Sequence, residues 1–250
     1  MSLVVDCHAH IRNPEKGDAE LVLESADRAG VDKVILCSLG REWTAFPDAA
    51  ALEQANADIA LVVEKYPDRL MGMVYLSADE VAVGLEHLER YIVNGPCRAV
   101  KLWISQFADD PRMDPLFDRI VELDVPVLQH SWIKATGNLE KETTVWHAVN
   151  RMKRHPGLKM WLAHCSGRWE EVARIIAPYP NLCVDISGGE PESGVVECLL
   201  RHIGPERIFF GSDIPGRSFI VQMTKVTSAD IPDTYKRMIL GENVMRWIRP

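Results

Sequence analysis

Near the start of the chain the run VVDCHAHI ends in His8 and His10, one residue apart, with Asp6 two positions before the first. On an extended strand residues two apart share a face, so Asp6, His8 and His10 are expected to line up. Neutral imidazole is a common metal ligand, and two of them a strand step apart can grip one ion as a pincer. The same pair also occurs as ordinary surface histidines, so the rest of the chain has to carry the reading. Further residues of the right chemistry end other apolar runs: Lys101 in VKLW, His130 in VPVLQHS, His164 in LKMWLAH and Asp213 in FFGSD.

Such residues can work together only if one framework brings the ends of those runs to the same place. Eight short apolar runs recur, near residues 3, 33, 70, 98, 125, 158, 182 and 207. Each is too short for a helix and is rich in valine, isoleucine and aromatic residues, as a buried strand is. Between them lie segments of helical periodicity such as DAELVLESADRAG and DPLFDRIVELD, several opened by Asp or Ser and closed by Gly or Pro. Alternation at roughly 30 residues is the size of a βαβ unit. Eight such units predict an α/β fold, a single (β/α)8 TIM barrel, over an open sheet with a glycine-rich phosphate turn after its first strand. With no linker or low-complexity tract, residues 1–250 are read as one domain. The last segment, DTYKRMILGENVMRWI, reads as a closing helix, with Gly241 tolerated at a cost of about 1 kcal/mol relative to Ala.

The connections are lopsided. Helix-to-strand links such as RAGVD and NGPCR are plain Gly/Pro turns, whereas strand-to-helix links hold the histidines, tryptophans, arginines and aspartates. In a barrel the second set gathers at the C-terminal face, where the active sites of this fold lie.

The ordered set of His-x-His on strand one, His on strands five and six, and Asp on strand eight resembles the signature of the amidohydrolase superfamily. The compact length and FFGSDIP are similar to its amidohydrolase-related branch, amidohydrolase 2. The resemblance spans the whole chain. It implies one divalent metal ion, most often zinc, with His8, His10, His130 and Asp213 as ligands and His164 as a catalytic group beside them. One ion is expected; two would follow if a carboxylated Lys101 bridged a pair. A metal held this way lowers the pKa of a bound water and polarises a carbonyl. Asp213 is then expected to hold the water's proton, and His164 to stabilise an oxyanion or act as the acid. Lys101, Arg41, Trp103, Trp132 and Arg168, with Trp169, are the candidate substrate contacts. An arginine fork suits a carboxylate, and an indole suits a planar body. The expected activity is hydrolysis of a small amide, ester or lactone. The alternative is non-oxidative decarboxylation of a small aromatic or unsaturated acid.

With 47% hydrophobic residues in 250, the chain can bury one sizeable core. Its net charge of −8 argues against a nucleic-acid or anionic-membrane partner, which a basic patch would serve. A small-molecule substrate is the expected partner, with homo-oligomer formation left open. No run approaches the roughly 18 apolar residues of a membrane helix and no basic-then-apolar leader precedes the first strand, so a soluble, cytoplasmic protein is expected. The six scattered cysteines are expected as buried thiols.

Overall fold

A computed structural model describes residues 3–189 and 192–248. Eight parallel strands follow one another in chain order: β1 (Val5–Ile11), β2 (Lys33–Ser38), β3 (Leu70–Tyr75), β4 (Cys97–Leu102), β5 (Val127–Gln129), β6 (Met160–Leu162), β7 (Leu182–Asp185) and β8 (Ile208–Phe209). The residues after β8 return to β1. Cys7 N donates to Phe210 O at 2.9 Å, Asp213 N to His8 O at 2.7 Å and His10 N to Ile214 O at 2.8 Å. These bonds bring the last strand to the first and complete a (β/α)8 barrel. Around it lie α1 (Asp18–Ala29), α2 (Ala49–Lys65), α3 (Val81–His87), α4 (Asp114–Glu122), α5 (Val145–Arg154), α6 (Trp169–Ile176), α7 (Val195–Ile203) and α8 (Phe219–Thr227). Among the described residues no helix is long and apolar enough to cross a membrane.

Alternation along each strand sorts two apolar clusters. Val5, Cys7, Ile35, Cys37, Met73, Ala99, Leu128, Trp161, Cys183 and Phe209 fill the barrel, while their neighbours Val34, Leu36, Val74, Val100, Val127, Leu162 and Val184 pack under the helices. Strands buried on both faces must be apolar throughout, which is why the eight runs stood out in the sequence. Fully burying a side chain such as Phe209 contributes about 1.5–3 kcal/mol before the entropy cost of ordering it. All six cysteines are buried and unpaired.

Two local features depart from expectation. The register of β1 slips by one between Asp6 and Ala9. Val5 and Cys7 face into the barrel, but beyond the bulge Ala9 and Ile11 pack under the helices, so Asp6, outward between Val5 and Cys7, does not share a face with His10. Asp6 instead accepts from His8 N and Ser212 N, both at 2.9 Å, and from Ser212 Oγ at 2.5 Å. It pins the bulge and ties β1 to the segment after β8. Burial raises its pKa to about 7 despite those bonds. The second is in the closing helix, which is continuous as expected but widens at its middle, running from α9 (Asp233–Arg237) through a wider turn over Met238–Glu242 into α10 (Asn243–Trp247). Val244, Ile248 and Trp247 of this segment pack into the base of the barrel cluster. Gly241 is required there, not merely tolerated, because a Cβ would stand 2.2 Å from the carbonyl oxygen of Leu3.

Candidate metal centre at the barrel mouth

His8 and His10 leave the bulge of β1 pointing into the mouth, and Asp213 meets them from the opposite side of the closure. Its own amide is the donor to His8 O, and its backbone is left-handed, with φ 64°. His8 Nε2 lies 3.1 Å from His10 Nε2 and 3.6 Å from Asp213 Oδ1, and His10 Nε2 lies 3.3 Å from the same oxygen. Donors about 2.0–2.2 Å from one ion stand roughly 3.0–3.5 Å apart, so this triangle fits a divalent ion. Donor atoms of His8, His164 and Asp213 also lie within 4.8 Å of one another.

Carboxylates behind the ligands set their tautomers. His8 Nδ1 lies 3.0 Å from Asp185 Oδ2, so an Nδ1–H there leaves the Nε2 lone pair facing the centre. Burial, with Lys101 beside it, lowers the pKa of His8 to about 4 and keeps the ring neutral, as a ligand must be. Asp185, held down to about 2 by His8 against the effect of burial, also accepts from His164 N at 2.9 Å. Ser187 Oγ bridges the pair, 3.0 Å from both His8 Nδ1 and His164 Nδ1. His10 Nδ1 lies 3.1 Å from Cys37 Sγ. Burial disfavours charge on His10, but Cys37 and Asp213 outweigh it and raise its pKa to about 9. Asp213 is held well below the usual carboxylate range by His10 and its other histidine neighbours, against burial. A divalent ion held here would have an ionised carboxylate oxygen of Asp213 and the imidazole nitrogens of His8 and His10 as its donors.

The sequence-selected residues separate into two groups. Lys101 is at the centre, its Nζ 2.9 Å from His8 Nε2. His164 follows β6 in a run of three left-handed residues, His164, Cys165 and Ser166. Its pKa is pushed well down by burial. A Cβ on Gly188 would stand 2.4 Å from its Nδ1, so the loop after β7 closes tightly on the ring. His130 packs edge-on to His164, with ring centroids 5.4 Å apart, but its Nε2 is engaged by Glu142 at 3.0 Å. Only its Nδ1 remains for another partner. Trp132 lies 4.7 Å from the His164 ring, and Trp103 meets Trp43, whose ring is 5.3 Å from His10. Arg41 is not free for a substrate: it pairs with Asp58 at 3.1 Å and with Glu15 at 3.1 Å. Arg168 is 60% exposed, pairs with Glu171 and lines an outer concavity with Trp169 and Arg174.

Sequence reasoning missed Asp185, Ser187, Glu142, Cys37 and Trp43. Asp185 was within reach, since it ends the seventh strand in LCVDIS as the others end theirs. Nothing local marks Glu142, a buried acid in a long loop that also accepts from Lys134 Nζ at 2.7 Å and Leu139 N at 2.9 Å.

A parallel barrel with histidines and a carboxylate converging at its C-terminal mouth defines a candidate divalent-metal enzyme. Residues 5–249 match the family profile described as amidohydrolase, and the chain belongs to that family. Among similar solved structures is 2,6-dihydroxybenzoate decarboxylase from Rhizobium, at 19% identity and TM-score 0.83, covering 99% of this chain and 98% of that one. Another is 5-carboxyvanillate decarboxylase from Sphingomonas paucimobilis, at 17% and 0.78, covering 100% and 99%. A third is 5-carboxyvanillate decarboxylase from Novosphingobium aromaticivorans complexed with manganese, at 15% and 0.80, covering 98% and 96%. These likenesses show the shared fold. They also correct the expected activity. The top neighbours are mostly decarboxylases, so hydrolysis of an amide, ester or lactone gives way to the carboxy-lyase alternative. The ion named with two of these neighbours is manganese.

Proposed function

We propose that this chain is a divalent-metal-dependent, non-oxidative decarboxylase of a small aromatic acid. The observation that carries the reading is the donor triangle of His8, His10 and Asp213, with Lys101 against it, set in a mouth walled by Trp43, Trp103 and Trp132. His8, His10 and Asp213, with His164 at their side, would hold the ion, which would supply positive charge for an acidic substrate. The indoles take the faces of a planar ring, and the Lys101 ammonium adds a second positive charge for the carboxylate. Loss of carbon dioxide leaves the bonding electron pair on the ring carbon, which must gain a proton. Asp213 is assigned the relay of that proton: ionised at rest, it takes a proton from the solvent that its 22%-exposed side chain reaches and passes it to the carbon, whereas Asp185 beside it is fully enclosed. His164, neutral and clamped between Trp132 and the Gly188 loop, orients the substrate by a hydrogen bond.

The family match over 5–249 supports treating the whole chain as one domain, and the reaction needs only a small-molecule partner. The test is a panel of hydroxybenzoates, with esters, amides and lactones alongside, assayed with manganese or zinc. Carbon dioxide release from an aromatic acid is expected. Acid release from the second group with no carbon dioxide from the first would overturn the reading.

A further inference from the structure

The loop after β7 is held from two sides. Towards the mouth, Gly188 comes so close to His164 that a Cβ on it would stand 2.4 Å from Nδ1 of the ring. From the helix layer, the half-buried Lys225 of α8 reaches in and donates to Ile186 O at 2.9 Å and to Gly188 O at 2.8 Å. Those two carbonyls flank Ser187, so a single ammonium brackets that serine. Ser187 has one hydroxyl proton, which it donates to Asp185 Oδ1 at 2.5 Å, and its backbone N donates to the same oxygen at 3.0 Å. Its Oγ is then left as an acceptor, with His164 Nδ1 3.0 Å away. His8 Nδ1 is equally near that Oγ, but it has Asp185 Oδ2 to donate to at 3.0 Å.

We propose that Lys225 is a positioning residue that fixes the tautomer of His164: by holding Ser187 it keeps a proton on Nδ1 and leaves the bare Nε2 to face the mouth. The loop needs such a hold because Gly188 and Gly189, both left-handed, lose more freedom on ordering than other residues would. Bonds from a cation to their carbonyls are the stronger kind of hydrogen bond. What the bare nitrogen is for rests on the decarboxylase reading of the site. There the neutral ring accepts a hydrogen bond from the substrate and has no Nε2 proton to give, which leaves protonation of the ring carbon to Asp213.

The probe is nitrogen-15 NMR of the labelled full chain at neutral pH with zinc, a diamagnetic ion. The Nδ1 and Nε2 shifts of His164, identified by their loss in His164→Asn, read its tautomer. The wild-type ring should be in the Nδ1–H form. Lys225→Met should lower the ratio of Nδ1–H to Nε2–H at least about threefold, the scale of one neutral hydrogen bond. Ser187→Ala, which removes the acceptor itself, should lower it at least as far, whereas Lys225→Arg, which keeps a cation with several donors, should stay near wild type. A merely structural lysine would cost Lys225→Met stability and leave the ratio unmoved. A wild-type ring in the Nε2–H form, or an unchanged ratio in a folded Lys225→Met protein, overturns the proposal; Lys225→Gln is held to the same criterion should methionine prevent folding. Because the spectrum needs no turnover, the two claims fail separately. A tautomer that shifts in Lys225→Met with no carbon dioxide from any acid upholds the role of Lys225 and overturns the reaction, and carbon dioxide release with an unmoved tautomer does the reverse.

Discussion

The two ends of this barrel solve the same geometric problem in different ways. Both must turn the chain sharply between strand and helix. At the base, the turns at Gly30 and Gly204 use glycine, which adopts a left-handed backbone without a Cβ penalty. The mouth uses glycine too, at Gly17, Gly40, Gly137, Gly167, Gly188, Gly189 and Gly194, but there Trp43, Lys141, His164, Cys165, Ser166 and Asp213 also adopt it with full side chains, and the base contributes only Asp124 to that second set among the described residues. Each such residue costs on the order of 1 kcal/mol or more and persists only where its surroundings over-determine it. The mouth accepts the strain because the side chain itself is wanted there: His164 and Asp213 are the two groups assigned to the reaction. The base spends nothing on chemistry, and its buried apolar plug holds the ring of strands together.

The largest expected effect sharpens that division. Asp213→Asn keeps a residue type that tolerates the left-handed backbone, so the fold should stand. Decarboxylation should fall at least about 10²-fold, the low end for loss of a proton-transferring group. Near-normal turnover by a folded, metal-loaded Asp213→Asn protein would remove Asp213 from the mechanism. The counterpart at the base is Gly241→Ala, whose Cβ meets Leu3 O. It should lower stability by about 1–3 kcal/mol, as overpacking does, while turnover per folded molecule stays within about twofold. Denaturant melts paired with active-site titration would check it, and a loss of turnover without a loss of stability would erase the contrast between the two ends.

The smallest expected effect lies in the mouth loop held by Glu142. Burial opposes ionisation of this carboxyl, but hydrogen bonds from His130, Lys134 and Leu139 N outweigh it and lower its pKa to about 2. A depressed carboxylate pKa means that the stability it contributes is complete above about 4.5 and is lost as the pH falls towards 2. Residues 131–143 should therefore show faster amide exchange as the pH drops through that window, after correction for the intrinsic rate, while the base strands stay protected. Glu142→Gln should loosen the same loop already at neutral pH. Equal protection of the loop in both proteins would show that the carboxylate does not hold it.

How far such features could be read in advance depended on whether their cause is local. The eight strands were legible because burial on both faces demands continuous apolar runs, and the placement of His8, His10, Lys101, His130, His164 and Asp213 was legible because strand ends at one face of a barrel share a mouth. The slip in β1 was not, since Asp6, His8 and His10 keep their two-residue spacing in the sequence and no glycine or proline marks the extra residue. That slip moved Asp6 from the face it was expected to share with the histidines to a clamp on Ser212. The support of the ligands was equally hidden: Asp185 reaches His8 across 177 positions, and Cys37 reaches His10 across 27. The sequence by itself determined the barrel and the kinds of side chain at its mouth, because both follow from periodicity and residue type. Only the tertiary structure decided that Arg41 is paired with Asp58 and Glu15, which imidazole nitrogen faces the centre and which strand-end acid stays in contact with solvent, because those depend on partners far away in the chain.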